Sequence, residues 1–154
     1  MVEIVKSTRR RWRDERGAEL VEFALVMPIL LVVFAGIVDF GFMMQRFEVV
    51  TNAAREGARL AVLPGYELPD VEARVDAYLE DGLQAGASAN ATTTMVDVNI
   101  AAASGPPIQS RQVTVQYTTS YAVLGPMMSL IGGSDFGTIT LTGRATMRLE
   151  VPVP

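Results

Sequence analysis

Apolar positions in this chain follow three different rhythms. From Phe23 to Met44 they run almost without interruption, and Asp39 is the only ionisable side chain among these 22 residues. At 1.5 Å per residue such a helix rises about 33 Å, enough to cross a hydrocarbon core of about 30 Å. No turn signal follows Met44, so one long helix is expected from Ala18 to Leu63, stopped by Pro64-Gly65. Pro28 predicts a bend in it, and Gly36 and Gly41 offer points of close approach. Farther along, Ala53, Gly57 and Ala61 fall at i, i+4 and i+8 with Ala54 and Ala58 beside them. Packing of this small-residue stripe on the protein's own sheet is preferred over a subunit contact.

The second rhythm begins at Pro69-Asp70, which open a shorter helix with Val71, Val75, Tyr78 and Leu79 on one stripe. Gly82 and Gly86 end it. The third has a period of two. Thr94, Val96, Val98 and Ile100 alternate with Met95, Asp97 and Asn99, and the runs Val113 to Tyr121 and Ile139 to Leu149 alternate with polar neighbours. Three such runs read as an antiparallel sheet with one buried and one wet face. Pro126 to Ile131, closed by Gly132-Gly133, predicts a short apolar helix or lid that either covers the sheet's end or presents an apolar patch, core packing being preferred, and Ala101 to Pro107 predicts a hairpin loop. Val151-Pro152-Val153-Pro154 is expected to blunt a sheet edge. The fold class is therefore α+β: a long N-terminal helix on a small C-terminal antiparallel sheet with one or two short helices. The organisation is a basic leader 1–17, a long helix 18–63 that spans a membrane at about 23–44, and a head 64–154. That head is small, so docking on residues 45–63 should supply much of its core.

Charge orients the segment. Residues 1–17 carry six Lys/Arg against three acids, while the rest carries seven basic and fourteen acidic side chains. Positive charge before the span predicts a single-pass protein of the cell membrane, with a cytoplasmic N-terminus and an extracytoplasmic head. Thirteen Leu, Ile, Val and Phe residues contribute roughly −4 to −8 kcal/mol to insertion, against about 3 kcal/mol for Asp39 at the bilayer centre. Insertion wins. A cleaved secretory signal would have a shorter apolar core ending in small residues, whereas this one runs into Asp39-Phe40.

The chemical inventory is thin. Histidine and cysteine are absent, and Lys6 is the only lysine, which argues against enzymatic function and against a metal or other cofactor. An acidic body argues against nucleic acid, and no glycine-rich phosphate loop points to a small-molecule substrate. Membrane lipid is the partner that composition itself implies.

Register adds more. Gly17-Ala18-Glu19-Leu20-Val21-Glu22-Phe23 resembles the processing site of type IVb/IVc prepilins and pseudopilins, in which a membrane aspartyl peptidase cuts after the glycine. Counting Ala18 as the first mature residue, Glu22 is fifth and Phe23 sixth. Together with Asn52-Ala53-Ala54-Arg55-Glu56-Gly57-Ala58-Arg59, this start resembles the TadE-like family of the Tad (Flp) pilus system over about residues 16–59. The resemblance implies a pilin-like fold and a minor pseudopilin with a structural part in pilus biogenesis. It implies a prepilin peptidase, other pilin or pseudopilin subunits and the Tad assembly machinery as partners. In that reading Gly17 is the scissile position and Glu22 pairs with the free amine of a neighbouring processed subunit. The helix motif includes Arg55 and Arg59, which are expected to meet outside carboxylates or water. Two destinations stay open, the filament itself or the membrane beneath it. An alternative of another class is a permanently anchored envelope protein whose head binds a ligand.

Overall fold

The computed structural model describes residues 8–101, 107–130, 132–133 and 137–149, with side chains from Gly17 onward. Most of the expected hairpin loop, Ile131 and the Val151–Pro154 edge lie outside the described residues. The elements are α1 (Thr8–Ala61), α2 (Leu68–Gly82), a 3-10 turn (Ala87–Asn90), β1 (Ala91–Ile100), β2 (Ile108–Ser120), α3 (Leu124–Leu130) and β3 (Thr138–Arg148). The long apolar helix packs on a three-stranded antiparallel sheet with short helices, an α+β, pilin-like arrangement.

α1 is one unbroken helix through Gly17 and Pro28. It begins before the expected start at Ala18 and ends at Ala61, two residues short of Leu63. A tighter turn, in which Leu63 N donates to Leu60 O at 3.0 Å, closes it. Arg111 from β2 donates from Nη1 to the Ala61 carbonyl at 2.6 Å and from Nε to Asp97 at 3.0 Å, so a strand supplies the C-terminal cap. α2 is held at its start by Pro69 and by Glu67 N donating to Asp70 Oδ2 at 3.0 Å. Its buried residues are Val71, Val75 and Leu79, as the stripe predicts.

The sheet is a meander in the order β1-β2-β3. Val113, Val115 and Tyr117 of β2 and Leu141 and Gly143 of β3 face α1 and α2, in agreement with the alternation. β1 is the exception. Thr93 and Met95 turn inward, opposite Val115 and Val113, while Val96 is 56% exposed and Ile100 also faces outward. The pairing register with β2 decides this, because directly opposed residues share a face. β1 is also an edge strand away from α1, so its apolar set has little cover to gain by facing the other way. α3 differs as well. None of its residues is buried, so it does not pack into the core.

The core joins three layers. Val50, Ala53, Ala54, Ala58 and Ala61 of α1 meet Val71, Val75 and Leu79 of α2 and the inner faces of β2 and β3. The small residues on this face of α1 let both neighbours come close. Residues 64–154 alone would keep the sheet and α2 but lose that surface. They are expected to lack a cooperative thermal transition by circular dichroism; a two-state melt of that fragment would show that the head needs no α1.

Candidate functional site

Gly17, Ala18, Glu22 and Phe23 lie on successive turns of the exposed part of α1. A Cβ on Gly17 would meet nothing within 4 Å. The backbone there is helical and not extended, so a peptidase would have to unwind it locally. Glycine lowers that cost, because it is about 1 kcal/mol less favourable in a helix than alanine. Glu22 is exposed, and among the described residues no part of the head lies against it.

From Leu20 to Phe34 nearly every large side chain on α1 is exposed, and the helix is long and apolar enough to cross a membrane. The first residues to be covered are Ala35 and Asp39, both 2% exposed. Asp39 takes a place in the fold that its position in the apolar run does not reveal. Its Oδ1 accepts from the backbone N–H groups of Ala122 at 2.8 Å and Val123 at 2.9 Å, and its Oδ2 accepts from Leu124 N at 2.7 Å. A side chain from α1 thus takes up the free donors that open α3, 83 to 85 residues away in the chain. The available signal was a lone acid inside an apolar run, which demands a partner.

Beyond this junction Arg46 donates from Nη1 to Thr119 Oγ1 at 2.7 Å and to the Ser120 carbonyl at 3.2 Å. It therefore fastens α1 to the end of β2, immediately before the segment that Asp39 holds.

The residues of the Asn52–Arg59 motif divide by face. Ala53, Ala54 and Ala58 are fully buried, and a Cβ on Gly57 would lie 2.7 Å from Val75 Cγ2 and 3.3 Å from Val113 Cγ1. The small-residue stripe therefore packs within the protein, as the sequence reading preferred. Glu56 receives Arg74 of α2 at 2.8 Å. Arg55 differs from expectation, because its Nη1 donates to Asn52 Oδ1 one turn back on its own helix, at 3.0 Å. Arg59 is exposed in the last turn of α1, where a cation complements the helix dipole. On α2, Glu72, Asp76 and Glu80 follow one another at intervals of one turn. Burial, and then the like charges of Glu72 and Glu80, push the Asp76 carboxyl above its ordinary range.

The structure thus leaves Gly17 and Glu22 at one end of α1 and the Asn52–Arg59 motif, built into the head, at the other. Comparison with curated proteins and with solved structures gave no match. A family model described as TadE-like protein matches residues 17–59, from the glycine to the last arginine of the motif. The chain carries a TadE-like domain at residues 17–59.

Proposed function

We propose that the protein is a minor pseudopilin inserted with its N-terminus inside the cell, cut after Gly17 by a prepilin peptidase, and built into or beneath a Tad-type pilus. A TadE-like domain implies a component of Tad pilus assembly, and TadE-like pilus proteins are structural, not catalytic. One observation carries the finer reading. The glycine-to-Phe23 start and the Asn52–Arg59 motif occupy opposite ends of a single helix, one end bare and apolar, the other fixed in the head. A bare apolar helix is what lipid or neighbouring subunits can cover.

In this reading the basic leader holds the scissile bond at the anionic inner surface of the membrane. The Glu22 carboxylate, at the top of an apolar helix, is costly until it meets a cation. The amine freed on Ala18 of a neighbouring copy or pilin is that cation. Assembly then brings together two charges that each subunit presents alone.

Co-expression with the matching prepilin peptidase, followed by mass spectrometry of the N-terminus, tests this. The expected product begins at Ala18, and Gly17→Ala is expected to keep the leader. Glu22→Ala should insert and be cut normally, yet enter pili at less than about a tenth of the wild-type level, the loss of one charge-assisted pair worth about 1.5–3 kcal/mol. A chain that retains Met1–Gly17 beside active peptidase would instead favour the permanently anchored binding protein.

A further inference from the structure

We propose that α3 is immersed in the membrane, its apolar side chains in contact with the acyl chains of the leaflet on the head side. The proposal rests on the reading of α1 as a membrane span. Taking Phe23, the first residue after Glu22, as the start of the hydrocarbon, a core of about 30 Å is crossed in about 20 residues and ends near Phe42. On that scale Ala35 stands about 18 Å and Asp39 about 24 Å from the start. Both residues are covered, and the three N–H groups from which Asp39 accepts fix the beginning of α3 at the level of Asp39. The beginning of α3 therefore sits about 6 Å inside the far edge of the hydrocarbon, a depth close to that of amphipathic helices lying in a membrane interface.

Composition agrees with depth. From Ala122 to Leu130 the chain has no charged side chain, and Leu130, at the tip of α3, is 85% exposed. An apolar tip on a helix with no buried residue is a poor surface for water and a good one for lipid. The side chain of Ser129 donates to the Pro126 carbonyl at 2.7 Å, which satisfies the hydroxyl of α3 internally. The first charge past the span, Arg46, lies four residues beyond Phe42, about 6 Å outside the hydrocarbon and level with headgroups.

The competing placement keeps α3 in water and moves the membrane toward the N-terminus. Setting the far edge at Ala35 carries the near edge back about 20 residues, to Glu15. Glu19 and Glu22 would then lie in hydrocarbon, at up to about 3 kcal/mol each, while Phe40 and Phe42 stood in water. The immersed placement buries one acid, and three backbone donors already satisfy it.

The chain has no cysteine, so single cysteines can report position directly. Full-length protein carrying Leu130→Cys, Phe34→Cys or Gln116→Cys would be spin-labelled and reconstituted in phosphatidylcholine–phosphatidylglycerol vesicles. Collision with oxygen, which concentrates in lipid, and with a water-soluble nickel chelate would then be compared. The oxygen-to-nickel ratio at Leu130 is expected to match that at Phe34 and to exceed that at Gln116 severalfold. A ratio at Leu130 equal to that at Gln116, with Phe34 still in lipid, overturns the proposal alone. An aqueous Phe34 overturns the span and the proposal together. A Leu130 label shielded from both reagents means that protein covers α3, and overturns it too.

Discussion

Asp39→Ala is expected to free α3 from α1 while leaving the core of the head folded. The substitution removes both acceptor oxygens and strands the N–H groups of Ala122, Val123 and Leu124. Hydrogen bonds to a charged group contribute about 1.5–3 kcal/mol each, and an unsatisfied buried donor costs about 1–3 kcal/mol. These values do not add fully, because the freed segment can turn toward other acceptors. A net loss of about 3 kcal/mol corresponds to roughly 100-fold faster local opening. Amide exchange at those three positions, read on full-length protein in nanodiscs, should accelerate by that factor, with little change at Val113 or Val115. Asp39→Asn should fall between, because its carbonyl still accepts where Oδ1 did, but its amide faces the Leu124 N–H with another donor. The experiment also separates two views of this residue. If Asp39 were only a burden on insertion, alanine would relieve up to about 3 kcal/mol and leave α3 in place. Unchanged exchange at Ala122–Leu124 would support that view and remove the clasp.

Legibility in the sequence followed the range of the interaction. Short-range features could be read: the apolar run from Phe23, the Val71–Val75–Leu79 stripe, and the inward sets of β2 and β3. Each depends on neighbours within a turn or a strand, so composition and spacing carry it. The TadE-like start and helix motif could be read for a different reason, because both sit on one helix at fixed separation. What escaped required partners far apart in sequence. Asp39 was visible as an anomaly, but nothing local says that its partners are the amides of Ala122–Leu124. Nothing near Arg111 in the sequence says that it caps the end of α1 at the Ala61 carbonyl. The face of β1 does not follow its own apolar alternation, because cross-strand register with Val113 and Val115 overrides it. Apolar composition also suggested core packing for α3, since an apolar segment beside a small head reads the same whether protein or lipid is to cover it. The sequence shows that Gly143 points inward. It does not show how near α1 comes.

That nearness sets the largest stability effect expected of a one-methyl change, Gly143→Ala. A Cβ at this position would stand 2.6 Å from the Val50 carbonyl oxygen, 2.8 Å from its carbon and 2.9 Å from the Thr51 Cα. All three are backbone atoms of a helix that is hydrogen-bonded on both sides, so no rotamer change relieves the contact. Either β3 or α1 must move by several tenths of an ångström, and α1 is also pinned by α2 and by Arg111. Glycine in a strand marks such a close approach of two backbones. Overpacking typically costs about 1–3 kcal/mol, and a clash against immovable backbone belongs at or above the upper end. Gly57→Ala meets only side-chain methyls, the nearest being Val75 Cγ2 at 2.7 Å, and offers the control. Val75→Ala should relieve it in the double variant. No single side-chain truncation should rescue Gly143→Ala, because the obstacle is main chain. Urea unfolding of full-length protein in detergent, followed by far-ultraviolet circular dichroism, should show the midpoint of Gly143→Ala reduced by at least about 1 M for a slope of about 1–3 kcal/mol/M. A midpoint unchanged from wild type would mean that the sheet and α1 are not seated backbone against backbone at this point.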